Sequence, residues 1–329
     1  MSGLRTWAYR LKETLKTKAE QARFGKCVVL LYHRVANLET DPQLLAVSPD
    51  NFDAHLATLK RKFTPLTVAQ FEQLISSGKK FPPRSVLITF DDGYVDNYQN
   101  ALPLLEKQDL QALFYVCTGN LGTNREFWWD EAERLLLTGK FPATFEFSLA
   151  GKLFLSTREK PLAPQKIYEE ALPLLRKISF SERERQLDVL RKISLAKEPR
   201  PDYRSMSFEE LELFARSKSV AIGAHTHDHP SLASLSEAGQ EEEIKLSKKI
   251  LEEKLGKKIL HFSYPFGNRD DYNKTTEAIC QKLGFSWVAA NHPGIVTGRS
   301  SPISFRRFLV RNWTAEEFTQ QINSFFQHV

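Results

Sequence analysis

Two clusters of residues in this 329-residue chain have the make-up of a reaction centre. Thr89-Phe90-Asp91-Asp92-Gly93 sets two carboxylates side by side after an apolar run. Adjacent carboxylates repel unless a cation or a proton lies between them. The plain alternative is a solvated turn, because Asp-Gly is common in turns. His225-Thr226-His227-Asp228-His229 puts three histidines into five residues. His225 and His229 aim at one ion if the chain turns helically there, whereas His225 and His227 share a side if a strand continues. A polar surface loop is the third reading. One Asp with two His makes a three-ligand set with open positions, as in catalytic rather than structural metal sites.

The elements that must position these clusters are visible in the apolar patterning. Val28 to His33, Ser85 to Phe90, Ala112 to Val116, Val220 to Ala224, Ile259 to Tyr264, Ser286 to Ala290 and Arg307 to Val310 read as short buried strands. Helical patterns separate them at Phe52 to Lys62 (with Asp50 placed to cap), Val68 to Ser76, Asn97 to Gln108, Ser236 to Leu255 and Tyr272 to Leu283. Alternating strands and helices predict a parallel sheet, and seven or eight units predict an α/β fold of the distorted TIM-like (β/α)7-8 barrel kind. An open doubly wound sheet is the alternative. The stretch from about 122 to 205 breaks the rhythm and reads as an insertion. It holds a hairpin of Thr144 to Phe147 and Lys152 to Leu155, then helices at Pro164 to Ile178, Glu182 to Ser194 and Phe208 to Ser217. The barrel body is expected over 27–315, and 316–329 as a C-terminal helix or tail.

Thr89-Phe90-Asp91-Asp92-Gly93 followed by His225-Thr226-x-x-His229-Pro230 resembles the polysaccharide deacetylases with a NodB-homology domain, carbohydrate esterase family 4. The resemblance implies that Asp91 is the general base and that Asp92, His225 and His229 hold a divalent metal, most often zinc. It puts His227 on a variable position. The family's third motif, Arg-Pro-Pro-Tyr-Gly, here reads Ser263-Tyr264-Pro265-Phe266-Gly267. The arginine that orients the base is therefore missing, and Arg307 is the expected substitute, with Arg306 its nearest rival. The backbone N–H of Phe266 is the implied oxyanion donor. A C-terminal Leu-His is also missing. Leu31-Tyr32-His33 instead resembles the circularly permuted branch, similar to poly-N-acetylglucosamine deacetylases, which makes His33 the general acid and His292 its competitor. A closed barrel allows this because its first and last strands are neighbours.

The activity that the resemblance implies is that of a metal-dependent hydrolase that removes an acetyl group from an N-acetylated amino-sugar saccharide. Trp129 and Tyr264, with Trp128 and Tyr94, are candidates to stack on sugar faces; the alternative is ordinary core aromatics. Two competing classes share the ligand set. An iron oxygenase also uses two His and a carboxylate but has no use for Asp91 as a base. A degenerate carbohydrate-binding protein fits the lost third-motif arginine.

Composition bounds the rest. The net charge is +6, and residues 1–26 hold most of it with seven Lys/Arg against two Glu. The remainder is nearly neutral, which argues against nucleic acid as a partner. Residues 4–22 form a basic amphipathic pattern with Trp7, suited to a membrane interface or to packing on its own domain. Three dispersed cysteines, Cys27, Cys117 and Cys280, make neither a disulfide framework nor a zinc-finger spacing. With no secretory pattern in view, the chain is expected in the cytoplasm, peripheral to the inner membrane face. A lipid- or nucleotide-linked saccharide suits that place.

Overall fold

The computed structural model describes residues 20–139, 141–196 and 198–328. Eight strands build the main sheet: β1 (Cys27–Tyr32), β2 (Thr64–Pro65), β3 (Ser85–Phe90), β4 (Ala112–Val116), β5 (Val220–Ala224), β6 (His261–Ser263), β7 (Trp287–Ala289) and β8 (Phe308–Leu309). All pairings are parallel, in the spatial order β7-β6-β5-β4-β3-β1-β8, with β2 beside the start of β3. The stretch 305–309 joins the two edges. Phe305 bridges to Ala289 of β7, while Phe308 and Leu309 pair with Leu30 and Leu31 of β1. The sheet thus curls into a distorted TIM-like barrel, not an open doubly wound sheet.

Alternation along the strands sorts side chains into two cores. Val28, Leu30, Val86, Ile88, Phe90, Ala112, Phe114 and Val116 face the surrounding helices. Stacked rings tie neighbouring strands together on that face, from Tyr32 to Phe90 (5.2 Å) and Phe90 to Phe114 (4.6 Å). Cys27, Val29, Leu87, Leu113, Tyr115, Trp287, Ala289 and Phe305 line the inside. The helix Val68–Ser76 closes the foot of this interior, with Phe71 against Trp287 and Phe305. Gly223 has no room for a side chain, since a Cβ would meet the Tyr115 ring at 2.6 Å.

The expected insertion carries its own buried cluster, including Trp129, Leu135, Phe147, Leu149, Phe154, Ile167, Leu175, Leu187 and Leu190. Its hairpin pairs Phe145–Leu149 with Lys152–Ser156 and turns at Ala150 and Gly151, both with positive φ. Helices Pro164–Lys177 and Phe180–Ile193 follow. Several details differ from expectation. Ser48, not Asp50, caps the helix Pro49–Lys62. The segment Asn97–Gln108 begins as a five-residue π-helix, and 128–138 is helical. The C-terminal helix Ala315–Phe325 is docked on the helix Pro49–Lys62, Phe318 stacking on His55 at 3.8 Å. Most of the amphipathic pattern at 4–22 lies outside the described residues. Among the described residues no helix is long and apolar enough to cross a membrane.

Gly93 shows how the fold presses on the functional loop. It has φ +86, and a Cβ there would meet Val116 Cγ1 at 2.9 Å. Gly93→Ala is expected to lower stability by about 1–3 kcal/mol. A denaturant titration checks this as a lower midpoint at unchanged slope.

Candidate metal centre

The inward alternation of the strands continues into the residues just beyond their ends. Leu87, Thr89 and Asp91 share a side, as do Val29, Leu31 and His33, and Gly223 and His225. Tyr32 is level with Phe90 in the β1–β3 pairing, and Ala224 is level with Phe262 between β5 and β6. His33 is thereby delivered beside Asp91, and Ser263 beside His225.

Asp92, His225 and His229 come together, with one ligand atom from each within 4.8 Å of the others and all three residues buried. Asp92 Oδ1 lies 3.5 Å from His225 Nε2 and 3.4 Å from His229 Nε2. The His225 Nδ1–H donates to the Ser263 carbonyl at 2.7 Å. A carbonyl only accepts, so Nδ1 carries a proton, and in the neutral ring the Nε2 lone pair turns toward Asp92, the tautomer that metal-ligating histidines use. Burial, then His225 and Arg183, hold the His229 imidazole well below its ordinary pKa and so neutral. This donor set fits a divalent cation.

Holding these atoms together strains the backbone. Asp92 (φ 78), Thr226 (φ 64), His229 (φ 52) and Phe266 (φ 59) all adopt left-handed conformations. Each costs on the order of 1–3 kcal/mol and persists only where its surroundings enforce it. Thr226 enforces the histidine turn, its Oγ1 accepting from the His229 N–H at 3.2 Å. Glu243 accepts from the N–H groups of His227 (3.0 Å) and Asp228 (2.9 Å). The His229 ring is wedged between Trp129 and Phe266, 4.6 Å from each. His227 turns away to Thr118, with Nδ1 2.9 Å from Oγ1.

Asp91 stands next to this triad and is held by a forked pair of bonds. Arg307 donates Nη1 to Oδ1 and Nη2 to Oδ2, both at 2.7 Å, and Ser263 Oγ donates to Oδ2 at 3.2 Å. Burial pushes the Asp91 carboxyl up; Arg307 and His225 more than offset it, so its pKa lies below the ordinary carboxylate value. Arg306 points elsewhere, packed across Gly294. His33 is half-buried, and its carbonyl accepts from Asn97 Nδ2 at 2.9 Å. Burial lowers the His33 pKa, and the charges of Asp92 and Asp91 act on it in the opposite direction. His292 lies apart, beside Tyr272, Arg306 and Arg269.

The aromatic expectations need correction. Tyr264 is fully buried, stacked on Tyr272 at 4.0 Å, with its hydroxyl donating to the Ile303 carbonyl at 2.8 Å. Trp128, Trp129 and Tyr94 are buried too. Trp129 Nε1 donates to the Tyr94 hydroxyl (2.8 Å), which donates to Asp130 (2.6 Å). The ring is a wall behind His229, not a platform for sugar. Burial pushes the Asp130 carboxyl up to about 8. Sequence reasoning passed over Glu243 and Asp271. Asp271 accepts from Arg176 of the insertion (2.5 Å), Ser231 Oγ (3.0 Å) and the Asn268 N–H (3.0 Å), so it ties the Phe266 turn to the histidine loop. No local pattern marks either residue, because the partners that make them anchors, His227 and Asp228 for Glu243 and Arg176 and Ser231 for Asp271, lie elsewhere in the sequence.

Comparison with known proteins concerns the same part of the chain. The sequence model of the family described as polysaccharide deacetylase matches residues 78–142 and 204–288, and the unmatched gap falls within the insertion. YxkH of Bacillus subtilis (strain 168) is 33% identical over 99 residues, which are 30% of this chain and 34% of that protein. The poly-beta-1,6-N-acetyl-D-glucosamine N-deacetylase of Staphylococcus aureus (strain N315) is 39% identical over 80 residues, 23% of this chain and 27% of that one. The aligned stretches thus span about a third or less of these relatives. The structure of IcaB from Ammonifex degensii has the same fold, with a TM-score of 0.59, 23% identity, and coverage of 92% of this chain and 97% of that one. The stretches that carry Asp91, Asp92, His225 and His229, a little under half of the chain, are those of a polysaccharide deacetylase domain.

Proposed function

We propose that this chain is a metal-dependent hydrolase that removes an N-acyl group, acetyl by default, from an amino-sugar saccharide. The observation that carries the reading is a buried carboxylate, Asp91, clamped by Arg307 and adjoining the Asp92, His225 and His229 triad. A divalent ion on that triad, zinc by its donor set, would supply Lewis acidity toward water and the acyl carbonyl.

The chain's own residues divide the remaining work. Asp91 accepts a proton from the attacking water, a role that requires its ionised form. Arg307 keeps it ionised and fixes its orientation. The Phe266 N–H, presented by a left-handed turn, donates to the oxyanion that forms as oxygen adds to the acyl carbon. Breaking the C–N bond releases an amine that leaves poorly as an anion, so His33 gives it a proton. The products are the free amino sugar and acetate. A saccharide still joined to a lipid or nucleotide, with membrane contact through residues 4–22, belongs to the same reading. The basic charge of that segment supports it. The direct test is loss of one acetyl mass from N-acetylated saccharides, abolished by a chelator and restored by zinc.

His229→Ala is expected to weaken zinc binding by more than the roughly 10–100-fold that even an outer partner is worth. His227→Ala should leave it unchanged, and calorimetric titration distinguishes the two.

Asp91→Asn should retain zinc and lose about 10²–10⁴-fold in turnover, because an amide accepts no proton. Near-normal turnover in this variant would remove the base from the mechanism.

The pH profile follows from the signs of the shifts. Asp91 works deprotonated, so activity rises with pH through a pKa held below the carboxylate norm. His33 works protonated, so activity falls as pH rises through a pKa that burial sets below 6.5. His33→Ala should abolish the basic limb and cripple amide hydrolysis, yet spare an activated acetyl ester whose phenolate leaves without a proton.

A further inference from the structure

The turn Asn291-His292-Pro293-Gly294 takes no part in the triad, yet it is shaped around a cation. A Cβ on Gly294 would collide with Arg306 Cδ, so glycine is what lets that side chain lie across the turn. His292 Nε2 stands 3.2 Å from the Tyr272 hydroxyl. Both rings open onto a cleft of 790 Å³ that also receives Arg269, Arg299 and Arg306. The carboxylates lining it are Glu277, taken by Lys274 at 2.7 Å, and Glu20. Among the described residues none of the three arginines makes an ion pair. The imbalance is felt locally. Burial lowers the His292 pKa, and Arg306 and Arg269 lower it further.

The cleft is not remote from the proposed chemistry. The Arg307 N–H donates to the His292 carbonyl at 3.2 Å, while the Arg307 guanidinium clamps Asp91. The two places are one arginine apart. We propose that this cleft binds a phosphate or diphosphate ester, with Arg269 and Arg306 as its principal donors. Guanidinium forks match phosphate oxygens in geometry as well as charge. Resting on the deacylase reading, the proposal makes the substrate a saccharide whose anomeric carbon still carries its phosphate-linked carrier. The neighbouring carbon of such a sugar bears the amide, and the Arg307 backbone links the cleft to the clamp on Asp91.

The test uses the full chain and the double variant Arg269→Glu/Arg306→Glu, which leaves Asp91, His33, Arg307 and the triad in place. Inorganic pyrophosphate is titrated calorimetrically at low salt. Wild type is expected to bind it, and the double variant to bind it at least about tenfold more weakly. A second arm compares kcat/KM on UDP-N-acetylglucosamine with that on a neutral N-acetylated oligosaccharide. A tenfold fall confined to the nucleotide sugar identifies a carrier phosphate; loss of pyrophosphate binding with both rates unchanged identifies free phosphate as the ligand of the same site. No binding by wild type, or equal binding by both proteins, overturns the proposal. If neither saccharide is hydrolysed by wild type, the deacylase reading fails, while the pyrophosphate titration still decides the cleft. Arg269→Gln/Arg306→Gln, expected to show the weaker form of the same loss, guards against misfolding of the charge-reversed chain.

Discussion

Everything at the mouth of this barrel depends on one buried charge pair. Asp91 lies in a region where desolvation opposes its ionised form, beside a second carboxylate and two imidazoles. Left unanswered, such a charge would be expelled by protonation or by local unfolding. Arg307 answers it with two parallel bonds at 2.7 Å, and it is itself almost completely buried. Removing one member of such a pair typically costs about 3–5 kcal/mol, because the survivor stays buried and alone. Arg307 also donates through Nε to the Ala290 carbonyl and through its N–H to His292. The residue that sustains the base is therefore one that sews the last strand to β7. Charge compensation and barrel closure are the same event.

The register of the parallel strands then does the positioning. Tyr32 and Phe90 end level, and the inward alternation puts the next residues, His33 and Asp91, on the same inner rim. A slip of one position would send both to the helix side. The aromatic stack on the outer face, Tyr32 to Phe90 to Phe114, resists that slip from behind. Four left-handed residues at the rim add strain that neither strand nor helix would choose. It is borne by short local bonds at Thr226 and by distant anchors at Glu243 and Asp271. The insertion takes part in this bracing, since Arg176 reaches from its helix Pro164–Lys177 to Asp271 and lies 3.9 Å over the Phe266 ring.

Local signals were the legible ones. The strand ends at Phe90, Val116 and Ala224 could be read to the residue, because buried parallel strands are continuous apolar runs that stop abruptly at polar residues. Types and spacing marked one Asp and two of three histidines as a ligand set, and the choice of Asp92, His225 and His229 came with the family resemblance. Arg307 was reachable only by noticing a gap: Ser263 stands where the family has an arginine, and a replacement was needed from another strand. Glu243 and Asp271 left no trace, since each acts on a loop far along the chain. The aromatics misled in a consistent way. Composition says that Trp129 and Tyr264 are large and adaptable, but only packing reveals that one backs a histidine while the other fills the outer core.

The first and last strands lie side by side, and the segments that flank them are fastened together as well. Lys26 Nζ donates to the Phe326 carbonyl at 2.9 Å, and Gln21 Nε2 to that of His328 at 3.3 Å. The barrel is therefore almost a closed loop of chain, and where the loop is opened is a matter of gene order more than of architecture. The opening beside β1 puts His33 early in the sequence while its neighbours in space come from much later in it. A short peptide across residues 326 and 26, with a new opening cut into the exposed hairpin tip at Gly151, would keep every pairing of the main sheet. The same juxtaposition gathers residues 21 and 328 near the start of β1, at the end of the barrel away from the triad, so this fastening leaves the mouth clear.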